Sequence, residues 1–333
     1  MSGVKCIDKI ISMLMISVLG LGLVSCGKNN VDEGTYNLET TSYQYGITKV
    51  NNISDVSFFS NDLCVTDQDN FGIDQVDSQV AGGGGVFNLA TGECTYGQNL
   101  FGRMYPASTT KILTCLVAIE QGNLSDMVTV SEHAADQTPD SSVAGLAAGD
   151  VMTLKDLLYG LMLRSGNDAA IAIAEHIGGS EEGFAELMNA KAKSLGATQS
   201  HFITPHGLHQ DDHYTTIYDM YLIFQAALQN ETFLEIISSA SHDVSYTGAS
   251  GEAKSQTWVS TNRYLNGKEK APAGFTVIGG KTGTTYEAGY CLVLYSYNDQ
   301  NQPIISIVYN SDCTLNLYYL MDELLYTFGE APS

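Results

Sequence analysis

From Ser108 to Gly122 the chain reads STTKILTCLVAIEQG, with Ile112, Leu113, Leu116, Val117 and Ile119 at helical spacing and Gly122 placed to end the run. Four further stretches carry the same period. TLKDLLYGLML opens with Thr153 and Asp156 spaced as a capping box. DAAIAIAEHIGG closes in paired glycines, a helix-ending signal. SEEGFAELMNAKAKSLG and TTIYDMYLIFQAALQ complete a helical middle. On either side of it the pattern shortens to strands. GGGGVFNLATGECTYGQN reads as two strands turning at Ala90-Thr91-Gly92, and the Gly82 to Gly85 run permits either a bulge or a close backbone approach. FTVIGGKT, GYCLVLYSYN and PIISIVYN follow late in the chain, before a last helix near LNLYYLMDELLYTF. Strands at both ends of a helical middle predict an α+β fold: an antiparallel β-sheet flanked by helices, with a helical subdomain. No internal repeat is apparent.

The ends of the chain change that picture. Ile10 to Val24 is an apolar stretch behind Lys5 and Lys9, too short for a comfortable membrane span and suited to a secretory signal. It ends in LVSC, which resembles a bacterial lipobox, so residues 1–26 are expected to be a lipoprotein signal and Cys26 the lipidated residue. Residues 27–54 are polar and lack apolar periodicity, and read as a flexible spacer. Residues 55–329 are expected to form the folded domain, with 330–333 as a tail. The implied location is exported, on the outer face of the cell membrane, held by an N-terminal lipid anchor.

A formal charge of −22 from only 15 Lys and Arg excludes nucleic acid as a partner, since little could neutralise a run of phosphates. It also means that the few cations must be well placed. Outside the leader lie five cysteines, Cys64, Cys94, Cys115, Cys291 and Cys313, without C-x-x-C spacing. No essential disulfide framework is expected, and Cys115, inside an apolar helical run, reads as a small buried hydrophobe.

One of those cations, Lys111, follows Ser108 by three residues at the start of the first helix. Three residues apart on a helix, the two side chains share a face. A serine needs a base to become a nucleophile, and a lysine can be that base only if burial or a neighbouring cation keeps it neutral. The helix N-terminus would also aim N–H groups at a developing oxyanion. S-x-x-K by itself says little, because Ser2 with Lys5 and Ser25 with Lys28 match it by chance. Order and context supply the specificity. PASTTK opens a helix, SGNDAA lies between helices, and GGKTGTT lies on a late strand.

These three elements in this order resemble the penicillin-recognising serine enzymes. The flanking text, YPASTTKILT, LLYGLMLRSGNDAAIAIAEHIGG, HFITPHGL and GGKTGTTYEAGYCLV, is similar to that of low-molecular-weight penicillin-binding proteins, the D-alanyl-D-alanine carboxypeptidases. The resemblance covers roughly residues 60 to 328 and implies the β-lactamase/penicillin-binding transpeptidase-like fold. It implies that Ser108 attacks the D-Ala–D-Ala carbonyl, that Lys111 takes its proton, and that Ser165 relays a proton to the leaving amine. Asn167 would position substrate and Lys111, while Lys281 and Thr282 hold the terminal carboxylate. Gly283 would let the strand lie close, and backbone N–H groups of Ser108 and Thr284 would form the oxyanion hole. The implied partners are a peptidoglycan stem peptide ending in D-Ala-D-Ala and, as covalent inhibitors, β-lactam antibiotics. No cofactor and no metal is implied. Thr261 and Asn262 match a further family stretch near the site.

Three rivals differ in chemistry. A class A-like β-lactamase would need a deacylating glutamate in E-x-x-L-N, and residues 168 to 280 contain no such run. A catalytically silent penicillin-binding sensor would acylate and stall, yet every nominal catalytic residue is present. A zinc peptidase could draw on HFITPHGLHQDDHY, with His201, His206, His209, His213, Asp211 and Asp212. There is no H-E-x-x-H, and Pro205 and Gly207 mark a turn, so a polar surface loop is the expectation.

Overall fold

The computed structural model describes residues 62–329. The expected leader, Cys26, the 27–54 spacer and the 330–333 tail lie outside the described residues. The opening hairpin forms as expected: β1 (Gly83–Asn88) and β2 (Glu93–Gln98) are joined through Gly92, whose φ of 72° makes the turn. The helical middle comprises α1 (Lys111–Gln121), the short α2 (Glu132–Ala135), α3 (Leu154–Leu163), α4 (Asn167–Gly178), α5 (Glu181–Ser194), α6 (Ile217–Leu228) and α7 (Glu231–Ile237). Thr153 caps α3 by accepting from the Asp156 N–H at 3.0 Å, and Gly179, at φ 75°, ends α4. Among these helices α1 is central, buried on every side from Lys111 to Ala118.

The late strands β7 (Thr276–Thr285), β8 (Gly289–Tyr297) and β9 (Pro303–Ser311) join the hairpin in a five-stranded antiparallel sheet of order β2-β1-β9-β8-β7. The closing helix α8 (Thr314–Phe328) covers one face, where Val86, Leu292, Leu294, Ile304 and Val308 meet Leu320, Met321 and Leu324. Phe87, Val293, Ile305 and Ile307 point the other way, into the helical core. With both faces covered, the strands need not alternate, which is why they read as continuous apolar runs.

The glycine run is a close approach. A Cβ on Gly83 would stand 2.8 Å from Met104 Sδ, and one on Gly85 would stand 3.0 Å from Ile217 at the start of α6. A second antiparallel sheet was not anticipated from the sequence. It takes the order β3-β4-β5-β6, from β3 (Met127–Thr129), β4 (Val151–Thr153), β5 (Ser241–Thr247) and β6 (Ala253–Val259). Trp258 anchors it by donating its indole N–H to Ala144 O at 2.9 Å. The five cysteines named above are free thiols, with Cys64, Cys115 and Cys291 buried. No helix among the described residues is long and apolar enough to cross a membrane.

Candidate active site

Ser108 does not sit on α1 itself. It lies in a 3₁₀ turn, Ala107–Thr110, that runs into the helix at Lys111. Ala107 takes a φ of 48°, an uncommon left-handed setting for a residue with a Cβ, at the entrance to this turn. The turn is held from below by Thr109, whose hydroxyl bonds the buried Tyr309 hydroxyl and donates to Pro106 O. Lys111 Nζ lies 3.0 Å from Ser108 Oγ, 2.7 Å from Asn167 Oδ1 and 2.8 Å from the His206 carbonyl oxygen.

Asn167 is the first residue of α4, and its amide nitrogen donates to Ser141 Oγ at 2.7 Å, which fixes which end of the amide faces Lys111. Two residues earlier Ser165 makes the tight link between α3 and α4 with a φ of 57°. Its Oγ accepts from Lys281 Nζ at 2.9 Å, and the same ammonium donates to Thr282 O at 2.7 Å. The Thr282 hydroxyl pairs with that of Thr261 at 2.8 Å. Next to it, a Cβ on Gly283 would stand 3.0 Å from Pro106 O, Ser108 N and Thr109 N, so the missing side chain lets β7 lie directly on the turn that carries Ser108. Ser108, Ser165, Thr282, Gly283 and Thr284 line one cavity of about 260 Å³. Arg263 and Tyr318, to which no sequence motif points, line it as well.

Two lysines in one buried site repel each other. Burial holds Lys111 well below its ordinary range, the nearby Lys281 pushes it lower still, and Asp168 partly offsets both. Burial brings Lys281 down to about 7. A neutral Lys111 amine has two N–H bonds to give. Asn167 Oδ1 and the His206 carbonyl accept both, so the remaining lone pair faces Ser108 Oγ. That arrangement can take a proton from the serine.

The loop of four histidines packs against Lys111. Pro205 O accepts from Thr114 Oγ1 at 2.6 Å, and a Cβ on Gly207, whose φ is 83°, would collide with Ala107 O. His213 is buried. Its Nδ1 faces the N–H groups of Ile203 and Thr204, so its Nε2–H donates to Thr110 Oγ1 at 2.9 Å. Burial brings His213 down to about 3, which keeps it neutral. The other histidines turn to separate partners: His201 to Asp212 O, His206 to Glu181 and His209 to Asp211. Among the described residues no three His, Cys, Asp or Glu side chains are grouped to hold a metal ion. Sequence reasoning missed the His206 carbonyl and Ser141. A backbone carbonyl has no sequence signature, and a loop serine has only a weak one.

The chain's similarity to known proteins agrees with this geometry. A family model described as D-alanyl-D-alanine carboxypeptidase matches residues 75–313. D-alanyl-D-alanine carboxypeptidase DacF of Bacillus subtilis is 38% identical over 227 residues, 66% of this chain and 55% of its own length. DacC of Escherichia coli is 34% identical over 253 residues, 73% of this chain and 60% of its own length. The Streptomyces K15 DD-transpeptidase crystal structure matches with a TM-score of 0.69 at 31% identity, covering 74% of this chain and 96% of that one. The chain therefore spans 55% to 60% of those two curated relatives but nearly all of that solved structure.

Proposed function

The chain belongs to the D-alanyl-D-alanine carboxypeptidase family, and from that premise we propose that it removes the terminal D-alanine from peptidoglycan stem peptides through an acyl-enzyme at Ser108. Penicillin, which presents a similar acyl group and carboxylate, would acylate the same serine. The observation that carries this reading is Lys111, a fully buried amine whose Nζ lies 3.0 Å from Ser108 Oγ and whose charged form burial disfavours.

In the proposed sequence, substrate enters with its terminal carboxylate against Lys281 and the Thr282 hydroxyl. An anion there favours the charged form of Lys281, which then also keeps Lys111 neutral. Ser108 Oγ forms a bond to the carbonyl carbon while its proton passes to Lys111 Nζ. The oxyanion is received by the backbone N–H groups of Ser108 and Thr284. As the C–N bond breaks, the proton held by Lys111 passes through Ser165, which is hydrogen-bonded to Lys281, to the departing D-alanine nitrogen, and Lys111 is neutral once more. Water then attacks the ester, Lys111 again serving as base, and the shortened peptide leaves.

The same reading extends to residues outside the described ones. Residues 1–26 direct export, lipidated Cys26 tethers the protein to the membrane, and residues 27–54 reach from the membrane toward the wall. The catalytic domain follows over residues 55–329. Replacing Cys26 by Ala should release the protein into the medium with its activity on soluble peptide intact. The test of the activity is release of D-alanine from a model peptide ending in D-Ala-D-Ala. Stoichiometric acylation by penicillin without D-alanine release would make the protein a sensor instead, and rapid hydrolysis of nitrocefin would make it a β-lactamase.

A further inference from the structure

Lys111 can present its lone pair to Ser108 only while both its N–H bonds are occupied elsewhere. One acceptor, Asn167 Oδ1, is a side chain. The other is the main-chain oxygen of His206, whose direction depends on the peptide plane joining His206 to Gly207. What keeps that plane in place is visible in the His206 ring. The ring is buried, and both of its nitrogens are used. Nδ1 accepts from the Leu208 N–H at 3.1 Å, which leaves Nε2 to carry the proton, 3.3 Å from Glu181 Oε2. Glu181 is itself fixed. It is the first residue of α5, just after the Ser180 cap, where a helix N-terminus favours a carboxylate, and its Oε1 lies 2.9 Å from His133 Nε2.

We propose that Glu181 is a positioning residue for the acylation step, holding the His206 ring so that the His206 carbonyl keeps Lys111 aimed at Ser108. The inference rests on the function proposed above. Two features of the surroundings agree with it. The Glu181 carboxylate is held below its ordinary range by its two histidines, so it stays an acceptor at neutral pH. Burial meanwhile lowers His206, which keeps the ring neutral with a single proton, the one given to Glu181. Glu181 is not among the residues that line the cavity, and its side chain pairs with His133 and His206, so its loss should act on the chemical step rather than on binding.

The test compares the unsubstituted protein with Glu181→Ala and Glu181→Gln, measuring the acylation rate constant and the apparent dissociation constant for a fluorescent penicillin, with a thermal melt of each. Glutamine keeps an oxygen for His206 Nε2–H and a shape close to glutamate. The expected result is a 10- to 100-fold slower acylation in Glu181→Ala at unchanged apparent affinity, recovered to within about threefold in Glu181→Gln. The proposal is overturned if Glu181→Ala acylates within about twofold of the unsubstituted protein. It is equally overturned if glutamine is as slow as alanine while both melt normally, or if the loss appears wholly in affinity. An unsubstituted protein that is not acylated at all overturns the functional reading and this inference with it, whereas normal acylation beside an unaffected Glu181→Ala overturns the inference alone.

Discussion

Gly283 lies so close to Ser108 that a Cβ built on it would stand 3.0 Å from the Ser108 backbone nitrogen, although the two residues come from opposite ends of the domain. The neighbours it would meet are main-chain atoms of Pro106, Ser108 and Thr109, which cannot swing aside as a flexible side chain could. Gly283→Ala must therefore push β7 off the nucleophile turn by a few tenths of an ångström. Misplacement at a reacting centre is costly, so acylation by penicillin should slow on the order of 10- to 100-fold. The thermal midpoint should change little, because the strand keeps its ladder to β8. Stopped-flow or gel-based acylation rates check the first part and a thermal melt the second.

Lys281 should be a stability liability kept for function. Its folded value is about 7 against an ordinary 10.5, so the unfolded chain binds the extra proton between those limits. Stability contributed at this position therefore rises with pH from about 7 to 10.5, and the penalty is greatest below 7. Lys281→Met should gain stability relative to the parent at pH 6 and lose that advantage as pH climbs toward 10.5. It should also fail to hold a carboxylate-bearing substrate. Paired urea melts across this range check the sign; an advantage that grows with pH would contradict the assignment.

The same two lysines set the pH profile of acylation. In the proposed mechanism the free protein needs Lys111 neutral and Lys281 charged. The second-order acylation rate should therefore fall as Lys281 loses its proton near 7. A rate constant for penicillin that climbs without turning down up to pH 9 would contradict it.

His213 is expected to matter for stability and not for chemistry. His213→Ala strands the buried Thr110 hydroxyl and the half-buried Ile203 and Thr204 N–H groups, a cost of about 1–3 kcal/mol. A chelator should leave acylation unchanged, since the histidines of this loop have separate partners. Urea denaturation measures the first effect. Loss of acylation on chelation, restored by zinc, would reverse the second.

Much of the site could be read from the sequence because its parts are local. Ser108 and Lys111 are one turn apart, Thr153 announces its helix, and Gly179 ends another. What could not be read falls into two kinds. Burial alternates along β5 and β6, but of the inward positions only Val244 and Trp258 are fully buried and the others include His242, Lys254 and Gln256, so polar residues mask the alternation that would mark strands of a second sheet. The 3₁₀ turn under Ser108 was hidden too, because Ser-Thr-Thr is compatible with an ordinary helix start, and nothing in the letters marks Ala107 as left-handed. The His206 carbonyl belongs to the same class: position, and not residue type, makes it part of the site. The order of the three motifs could be read, but the way β7 rests on the nucleophile turn required the fold.

In the proposed mechanism a neutral Lys111 activates Ser108 for acyl transfer. Mass spectrometry of the protein after exposure to benzylpenicillin tests it most directly, with Lys111→Ala run beside it. One penicilloyl adduct is expected on the peptide containing Ser108, and none on the variant over the same interval. An adduct on another residue, no adduct at all, or equal acylation of Lys111→Ala would contradict it.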